Sequence, residues 1–290
     1  MDDVELSVIL TTFNRASLVE DMLRAISEQT WSGSWQVVLV DNNSTDHTLD
    51  LLQNWAEKMP VPTHVVVASQ RQNPSYARSV GVNESQGHSM VFVDDDDLIG
   101  PGFVEAIGEA LRTEELVGAR HQHHRLNPEA VARYRGSHQS EQLGEVFGVP
   151  VAGGGGMGCT RALWDRLSGQ TETFGYGSED TEFCLRASTL GVTTAFVPDA
   201  LYHVRHRSGF AASFHQARTQ SVTGVHLYKQ LGSEFGERPA ELRSVLRAWF
   251  GLGRRLNALR DPGAAENWAW RFGRLFGRMQ GSVLARTWYP

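Results

Sequence analysis

Ser89-Met90-Val91-Phe92-Val93-Asp94-Asp95-Asp96-Asp97-Leu98-Ile99-Gly100-Pro101 joins a short apolar run to four consecutive aspartates. Adjacent like charges repel, so a need for polarity alone does not explain four in a row. A strand that delivers carboxylates at its carboxyl end suits a hard divalent cation such as Mg²⁺ or Mn²⁺, which takes oxygen ligands and bridges to phosphates. The same residues also read as a solvated acidic turn, with Asp97 or Gly100 capping the next helix. The rest of the chain decides between the two.

Upstream, Val4–Leu10 is short, aliphatic and bounded by polar residues, which predicts a buried strand. Ser17-Leu18-Val19-Glu20 has the form of a capping box and predicts a helix to about Gln29, with Leu18, Met22, Leu23 and Ile26 inward. Gln36–Val40 and Thr63–Ala68 are the next strands. Asp46 is placed to cap the helix between them, and Pro74 opens a helix over about 75–85. Ser89–Val93 is the fourth strand, with a helix over 101–111 after it. Alternating strands and helices predict a parallel sheet of right-handed βαβ units, whose ligands bind outside the carboxyl ends of the strands. Thr11 to Arg15, Asp41 to Asp46, Arg71 to Arg78 and Asp94 to Asp97 all fall there, and all are rich in groups that contact nucleotide, phosphate or metal.

The 290 residues, 41% hydrophobic and 21% charged, suffice for one large α/β domain with or without an appendage. Two cysteines, Cys159 and Cys184, exclude a disulfide framework and suggest a reducing compartment. The acidic start Met1-Asp2-Asp3-Val4-Glu5 lacks a signal core, and no apolar run approaches the ~20 residues of a spanning helix. A cytoplasmic protein is expected, soluble or peripheral on the inner face of the membrane. Its net charge of −6 is uneven: residues 201–290 carry 14 Lys/Arg and 5 Asp/Glu, so the acidity lies in residues 1–200. Such asymmetry suggests two functional parts, the second facing something anionic.

Regularity fades from about Gly118 to Val151, a stretch read as a loop-rich insertion. Its His121, His123 and His124 raise a zinc site, but no spaced Cys or carboxylate set completes one, and a solvated polar loop is the simpler reading. Gly153-Gly154-Gly155-Gly156-Met157-Gly158 lacks the Gly-Lys-Ser/Thr of a phosphate loop. It serves either close backbone approach to a ligand or a hinge. In Phe174-Gly175-Tyr176-Gly177-Ser178-Glu179-Asp180, the two acids open a helical pattern that Gly191 ends. The helix dipole favours negative charge there. Capping accounts for one acid, and a second beside a glycine and aromatic loop has the character of a reacting carboxylate.

Four of these motifs, taken in order over about residues 4–205, resemble the inverting, nucleotide-sugar-dependent glycosyltransferases of family 2, with the GT-A fold. Ser7 to Arg15 is similar to the opening strand and loop, and Val37 to Asp46 to the family's VDDGSTD signature. Phe92 to Asp97 is similar to its DxD metal motif, and Gly177-Ser178-Glu179-Asp180 to its GEED base motif. The resemblance implies a Rossmann-like α/β fold with a mostly parallel central sheet flanked by helices, plus a C-terminal helical extension. Residues 1–213 would be catalytic, with a nucleotide-sugar half to about 100 and an acceptor half after it, and 214–290 a basic, aromatic-rich helical region.

It implies roles as well. Thr11, Phe13 and Asp41 would hold the nucleobase, Asp41 accepting a uracil or thymine N–H, and Arg15 and Arg78 would serve the base and diphosphate pocket. Asp94 and Asp95 would lie near ribose and metal. Asp96, with Asp94 and His203, would hold Mn²⁺ or Mg²⁺. Outside the family, a strand-end histidine such as His203 is more simply structural. Asp180 would be the general base of a single displacement and Glu179 its support. A UDP- or dTDP-sugar would be the donor, and the acceptor is not legible. Two departures from the pattern, Asn73-Pro74-Ser75 in place of Asn-Gly-Gly and Ser79 in place of Asn after the arginine, bear on the geometry of the base and sugar pocket.

Other classes fit less well. A sugar nucleotidyltransferase needs a glycine-rich basic opening loop, which Thr11–Arg15 is not. A receiver-like signalling domain needs a placed lysine, and only Lys58 and Lys229 exist. A nucleotide-binding pseudoenzyme stays open, although Asp96 and Asp180 are intact. In 214–290 arginines interleave with aromatics at helical spacing. Helices packed on the catalytic domain, an interfacial membrane segment, and a dimer interface or acceptor lid all fit that pattern. No nucleic-acid reading module is present.

Overall fold

The computed structural model describes residues 3–129, 131–132, 140–174, 177–238 and 241–289. Met1 and Asp2 of the acidic start, Gly175 and Tyr176 of the glycine and aromatic loop, and residues 130 and 133–139 of the 118–151 stretch lie outside them. Two units are distinguished. One comprises Met1–Gln122, Gln139–Gly175 and Glu179–Val204; the other comprises His123–His138, Tyr176–Ser178 and Arg205–Pro290.

The first unit is built on eight strands. They are β1 (Leu6–Thr12), β2 (Trp35–Asp41), β3 (Thr63–Val67), β4 (Ser89–Asp94), β5 (Leu98–Ile99), β6 (Leu116–Gln122), β9 (Met157–Thr160) and β10 (Ala195–His203), while β7 (Gly144–Val146) and β8 (Val149–Val151) form a separate hairpin. Across the large sheet the order is β3-β2-β1-β4-β9-β6-β10-β5. Pairing is parallel for β3/β2, β2/β1, β1/β4 and β6/β10, and antiparallel where β9 lies between β4 and β6 and where β5 borders β10. The α/β fold with a mostly parallel sheet is therefore the one the sequence predicts.

Successive residues of a strand face opposite sides, and both sides are buried here. Leu6, Val8 and Leu10 meet α1 (Val19–Ser27) and α4 (Phe103–Leu111) through Met22, Leu23, Phe103 and Ile107, and Leu52 of α2 (Thr48–Ala56) joins this side. Ile9, Val38 and Phe92 face the opposite layer. It contains Ala77 and Val82 of α3 (Pro74–Glu84), Leu163 and Trp164 of α5 (Arg161–Arg166), and Phe183 and Cys184 of α6 (Glu179–Thr189). Both cysteines are free and buried, and burial pushes the Cys184 thiol up to about 12.

Local chemistry sets several helix starts. Asn73 accepts the Tyr76 N–H at 3.1 Å with Pro74 at the first helical position, and Thr160 accepts the Leu163 N–H at 3.2 Å. Two expectations need correction. The box at Ser17 does not form: α1 starts at Val19 with no side-chain cap. Residues 118–122 are not loop, because the polar end of β6 is held by the β10 backbone; Leu201, Tyr202 and His203 pair with Arg120, His121 and Gln122.

The second unit contains α7 (Phe210–Leu231), α8 (Leu242–Gly253) and α9 (Pro262–Leu284). α7 and α9 run parallel and very close. A Cβ on Gly273 would lie 2.4 Å from the Phe214 carbonyl oxygen, one on Gly277 2.4 Å from that of Arg218, and one on Gly281 2.9 Å from Val225. Spacing of four puts these glycines on one helix face, where they let two backbones touch. Gly277→Ala is expected to lower the melting temperature, with a cost of about 1–3 kcal/mol from overpacking. Gly224→Ala in α7, where a Cβ would meet nothing within 4 Å, is expected to stabilise by about 0.5–1 kcal/mol. Calorimetric unfolding of both variants checks the pair; equal effects would contradict the close approach.

Candidate active site

The sheet order reverses at β1 and β4: the chain steps from β1 outward to β2 and β3, then returns to β4 on the other side of β1. Such a switch point opens a crevice at the carboxyl ends of the strands. Register aligns the ends, with Thr11 beside Asp94 and Thr12 beside Asp41.

The β1 and β2 loops are laced together by short polar side chains. Asn14, at φ 51°, donates its N–H to Ser44 Oγ at 2.9 Å and accepts the Thr45 N–H at 2.8 Å. The Arg15 N–H bonds Thr48 Oγ1 at 2.9 Å, and Asp46 accepts the N–H of Thr48 at 3.0 Å and of Ala16 at 3.3 Å. Asp41 is fully buried. Its Oδ2 accepts the Ser44 N–H at 3.0 Å, while Oδ1 has no hydrogen-bond partner among the described residues. A buried carboxylate oxygen without a donor is costly, so this atom marks a place where a ligand N–H would fit.

The aspartate run alternates. Asp95 and Asp97 are buried, whereas Asp94 and Asp96 are about a third exposed, at 35% and 28% of their side chains. Asp95 accepts the Phe13 N–H at 3.3 Å and lies 3.3 Å from Arg15 Nε, while Arg15 Nη2 is 3.8 Å from Asp96. Burial pushes the Asp95 carboxyl up to about 7, against the pull of Thr12 and Arg15 and with the repulsion of Asp96 and Asp94.

Arg78 is buried beneath this cluster. Its guanidinium reaches Asp94 at 3.0 Å, Glu179 at 3.4 Å and Gln170 Oε1 at 3.3 Å, and stands over the Phe92 ring at 5.7 Å. Burial alone would favour its neutral form, but Asp94, Glu179 and Asp180 outweigh that and hold the cation. Glu179 is buried as well, and desolvation with repulsion from Asp180 raises its carboxyl above the usual range despite Arg78 and a backbone hydrogen bond. Its Oε2 has no hydrogen-bond partner among the described residues. Asp180, half-buried one residue on, accepts the Thr181 N–H at 2.7 Å.

Gly158 ends the glycine run inside β9, whereas Gly153, Gly154 and Gly155 precede the strand and lie against side chains of the same unit. A Cβ on Gly153 would lie 2.6 Å from His121, one on Gly154 2.8 Å from Arg78, and one on Gly155 2.3 Å from the Tyr202 hydroxyl. The run closes tightly over the protein's own side chains. Tyr202 accepts the Asp94 N–H at 3.0 Å and thereby fixes the first aspartate from β10. His121 bonds the Gly155 carbonyl at 2.9 Å, and His123 stacks on His206 at 5.0 Å.

His203 closes β10 beside Leu98, the residue after the aspartates. It is buried, and its Nδ1 pairs with Gln122 Oε1. Among the described residues no three His, Cys, Asp or Glu side chains converge to hold a metal. Hard oxygens from Asp94 and Asp96, in a cluster where carboxyls outnumber the guanidiniums of Arg15 and Arg78, still fit Mg²⁺ or Mn²⁺, with phosphate or water completing the sphere.

The chain matches Glycosyl transferase family 2 over residues 7–167 and belongs to that family. It is 33% identical over 91 residues to TuaG, a glycosyltransferase of Bacillus subtilis assigned to teichuronic acid biosynthesis, covering 31% of this chain and 35% of TuaG. It is 28% identical over 103 residues to the GalNAc(5)-diNAcBac-PP-undecaprenol β-1,3-glucosyltransferase of Campylobacter jejuni, covering 36% and 33%. These matches span about a third of the relatives' length. Among solved structures, the mannosyltransferase PcManGT from Pyrobaculum calidifontis, in complex with GDP-Man and Mn²⁺, superposes with TM-score 0.61 at 20% identity, over 97% of this chain and 75% of that one. S. aureus TarS 1–349 in complex with UDP-GlcNAc gives 0.55 at 16%, over 99% and 93%. The fold is GT-A.

Sequence reading did not single out Tyr202, Gln170 or Gln122. Each acts across more than 80 positions, on Asp94, Arg78 and His203 respectively. No local pattern records such pairings. A carboxyl raised in the fold destabilises it increasingly as pH climbs from the ordinary 4.5 of Glu179 through its folded value. The stability of Glu179→Gln relative to the parent is therefore expected to rise by about 1–3 kcal/mol between pH 4 and pH 8, on top of any pH-independent cost of losing the Arg78 contact. Parallel stability profiles in thermal melts across that range would contradict the assignment.

Proposed function

We propose that the chain transfers a sugar from a nucleoside-diphosphate sugar, in the UDP or dTDP series, to an acceptor hydroxyl with inversion at the anomeric carbon. The observation that carries this reading is the buried, unpartnered Oδ1 of Asp41 at the end of β2, next to the aspartates at the end of β4. One edge of the crevice thus offers an acceptor for a pyrimidine imide N–H, and the other offers carboxylates for a cation-bridged diphosphate. Thr11 and Phe13 flank the base, and Arg15 stands between the base loop and the aspartates.

Asp96 and Asp94, with His203 Nε2 near the same strand ends, would hold Mn²⁺ or Mg²⁺. When bound, the cation offsets charge on the departing nucleoside diphosphate. Asp180 takes the proton of the acceptor hydroxyl as its oxygen forms the new bond to the anomeric carbon. The bond from that carbon to the phosphate oxygen breaks on the opposite face, and its electron pair leaves with the diphosphate. A single base and one displacement invert the configuration, unlike the paired carboxylates of retaining hydrolases. Glu179, tied to Arg78, positions the first turn of α6 and thus Asp180. The neighbours PcManGT and TarS were solved in complex with GDP-Man and Mn²⁺ and with UDP-GlcNAc respectively, which supports a nucleotide-sugar donor. Fold does not choose donor sugar or acceptor.

Asp180→Asn is expected to lower transfer at least about 100-fold while nucleotide affinity stays within about twofold. Asp96→Ala is expected to weaken nucleotide binding in Mn²⁺ far more than in chelator. Donor consumption assays and calorimetry read both, and full transfer by Asp180→Asn would refute the base.

A further inference from the structure

The second unit holds surface features that the strand-end site does not use. Exposed large hydrophobic side chains concentrate in it, among them Leu242, Leu246, Phe250, Val283, Leu284 and Trp288. Phe250 is 68% exposed and Val283 77%.

α8 divides into sectors at 100° per residue. Val245 and Leu252 are its buried side. Leu242, Leu246 and Phe250, at spacing of four, form an exposed apolar stripe, and Arg243, Arg247 and Arg254 line the sector beside it, also exposed. On the other flank, a groove of about 320 Å³ between α8 and α9 is lined by Arg255, Arg271, Arg274 and Arg278, with Leu252 and Leu275. None of these four arginines makes an ion pair with a carboxylate among the described residues. Crowding by Arg278 and Arg271 adds to burial in destabilising the Arg274 cation. From Leu242 to the end of the chain, Asp261 and Glu266 are the sole acids.

We propose that this face docks on an anionic phospholipid surface, the groove and flanking arginines on headgroup phosphates and the Leu242, Leu246 and Phe250 stripe at the acyl boundary. Uncompensated guanidiniums beside an exposed apolar stripe are what such a boundary takes up, since it offers anions and hydrocarbon within one layer. A two-fold pairing with a second copy would place the same arginines against each other, with no acids on the face to answer them. A nucleic acid would use the arginines and leave the aliphatic stripe in water. No helix among the described residues is long and apolar enough to cross a membrane.

Flotation of the full chain with phosphatidylcholine vesicles, with and without about 30% phosphatidylglycerol, tests the proposal. Binding is expected on the anionic vesicles alone and is expected to fall as salt rises from about 50 to 500 mM. Arg271→Gln/Arg274→Gln and Leu246→Glu/Phe250→Glu are each expected to lower vesicle partition about tenfold or more, with unchanged circular dichroism and melting temperature. The substitutions are at the surface, so folding is retained and loss of partition is read directly. No flotation with anionic vesicles, or equal flotation with neutral ones, overturns the proposal. Light scattering that shows a dimer lost in Leu246→Glu/Phe250→Glu, without flotation, assigns the face to a second copy instead. Arginine-dependent binding of an RNA oligonucleotide, without flotation, assigns it to nucleic acid.

Discussion

Carboxyl groups from two distant stretches of chain, Asp94 to Asp97 and Glu179 with Asp180, share one end of the sheet, and the buried guanidinium of Arg78 makes that arrangement tolerable. It bonds Asp94 and Glu179 at once and stays charged because their field outweighs its desolvation. An arginine suits this place better than a lysine, since its planar fork serves several oxygens together. The glycine run is shaped around it: Gly154 has no Cβ where Arg78 passes, and Gly155 none where Tyr202 reaches Asp94. Compensation is incomplete, however. The Asp95 and Glu179 carboxyls are raised chiefly by burial, with repulsion from neighbouring carboxylates added, despite Arg15 and Arg78.

Much of this was legible in sequence for identifiable reasons. β1, β2 and β4 are short aliphatic runs buried on both faces, and each ends in the polar residues that the parallel topology carries to one edge. The starts of α3 and α5 are written in Asn73-Pro74 and Thr160, whose side chains cap the first turns of those helices. β6 was hidden because its second half, Ala119-Arg120-His121-Gln122, has no apolar period and owes its extended form to β10, some 80 residues on. The antiparallel insertion of β9 between β4 and β6 is hidden for the same reason. The carboxylates could be listed from the sequence, but Tyr202, which fixes Asp94, and Gln170, which bonds Arg78, could not. In the tail the arginines and aromatics drew the reading, whereas Gly273, Gly277 and Gly281 set the packing of α7 on α9.

The charge asymmetry of the chain now has two physical meanings, one in each unit. In the first, acidity is concentrated at strand ends where a cation and a diphosphate would meet. In the second, basicity is spread over α8 and α9 beside exposed apolar side chains. Neither unit neutralises its own excess, so each requires a counter-charge from outside itself.

In the proposed reaction the strand-end crevice binds a pyrimidine nucleoside diphosphate through Asp41 and a divalent cation through the aspartates. Titration calorimetry of the full chain with UDP, dTDP, GDP and CDP, each with and without Mn²⁺, measures this directly. Mn²⁺-dependent binding of UDP or dTDP in preference to CDP is the predicted result, because Asp41 Oδ1 answers a ring N–H that uracil and thymine have and cytosine lacks. Absence of binding for all four in folded protein, or binding indifferent to Mn²⁺, would contradict it.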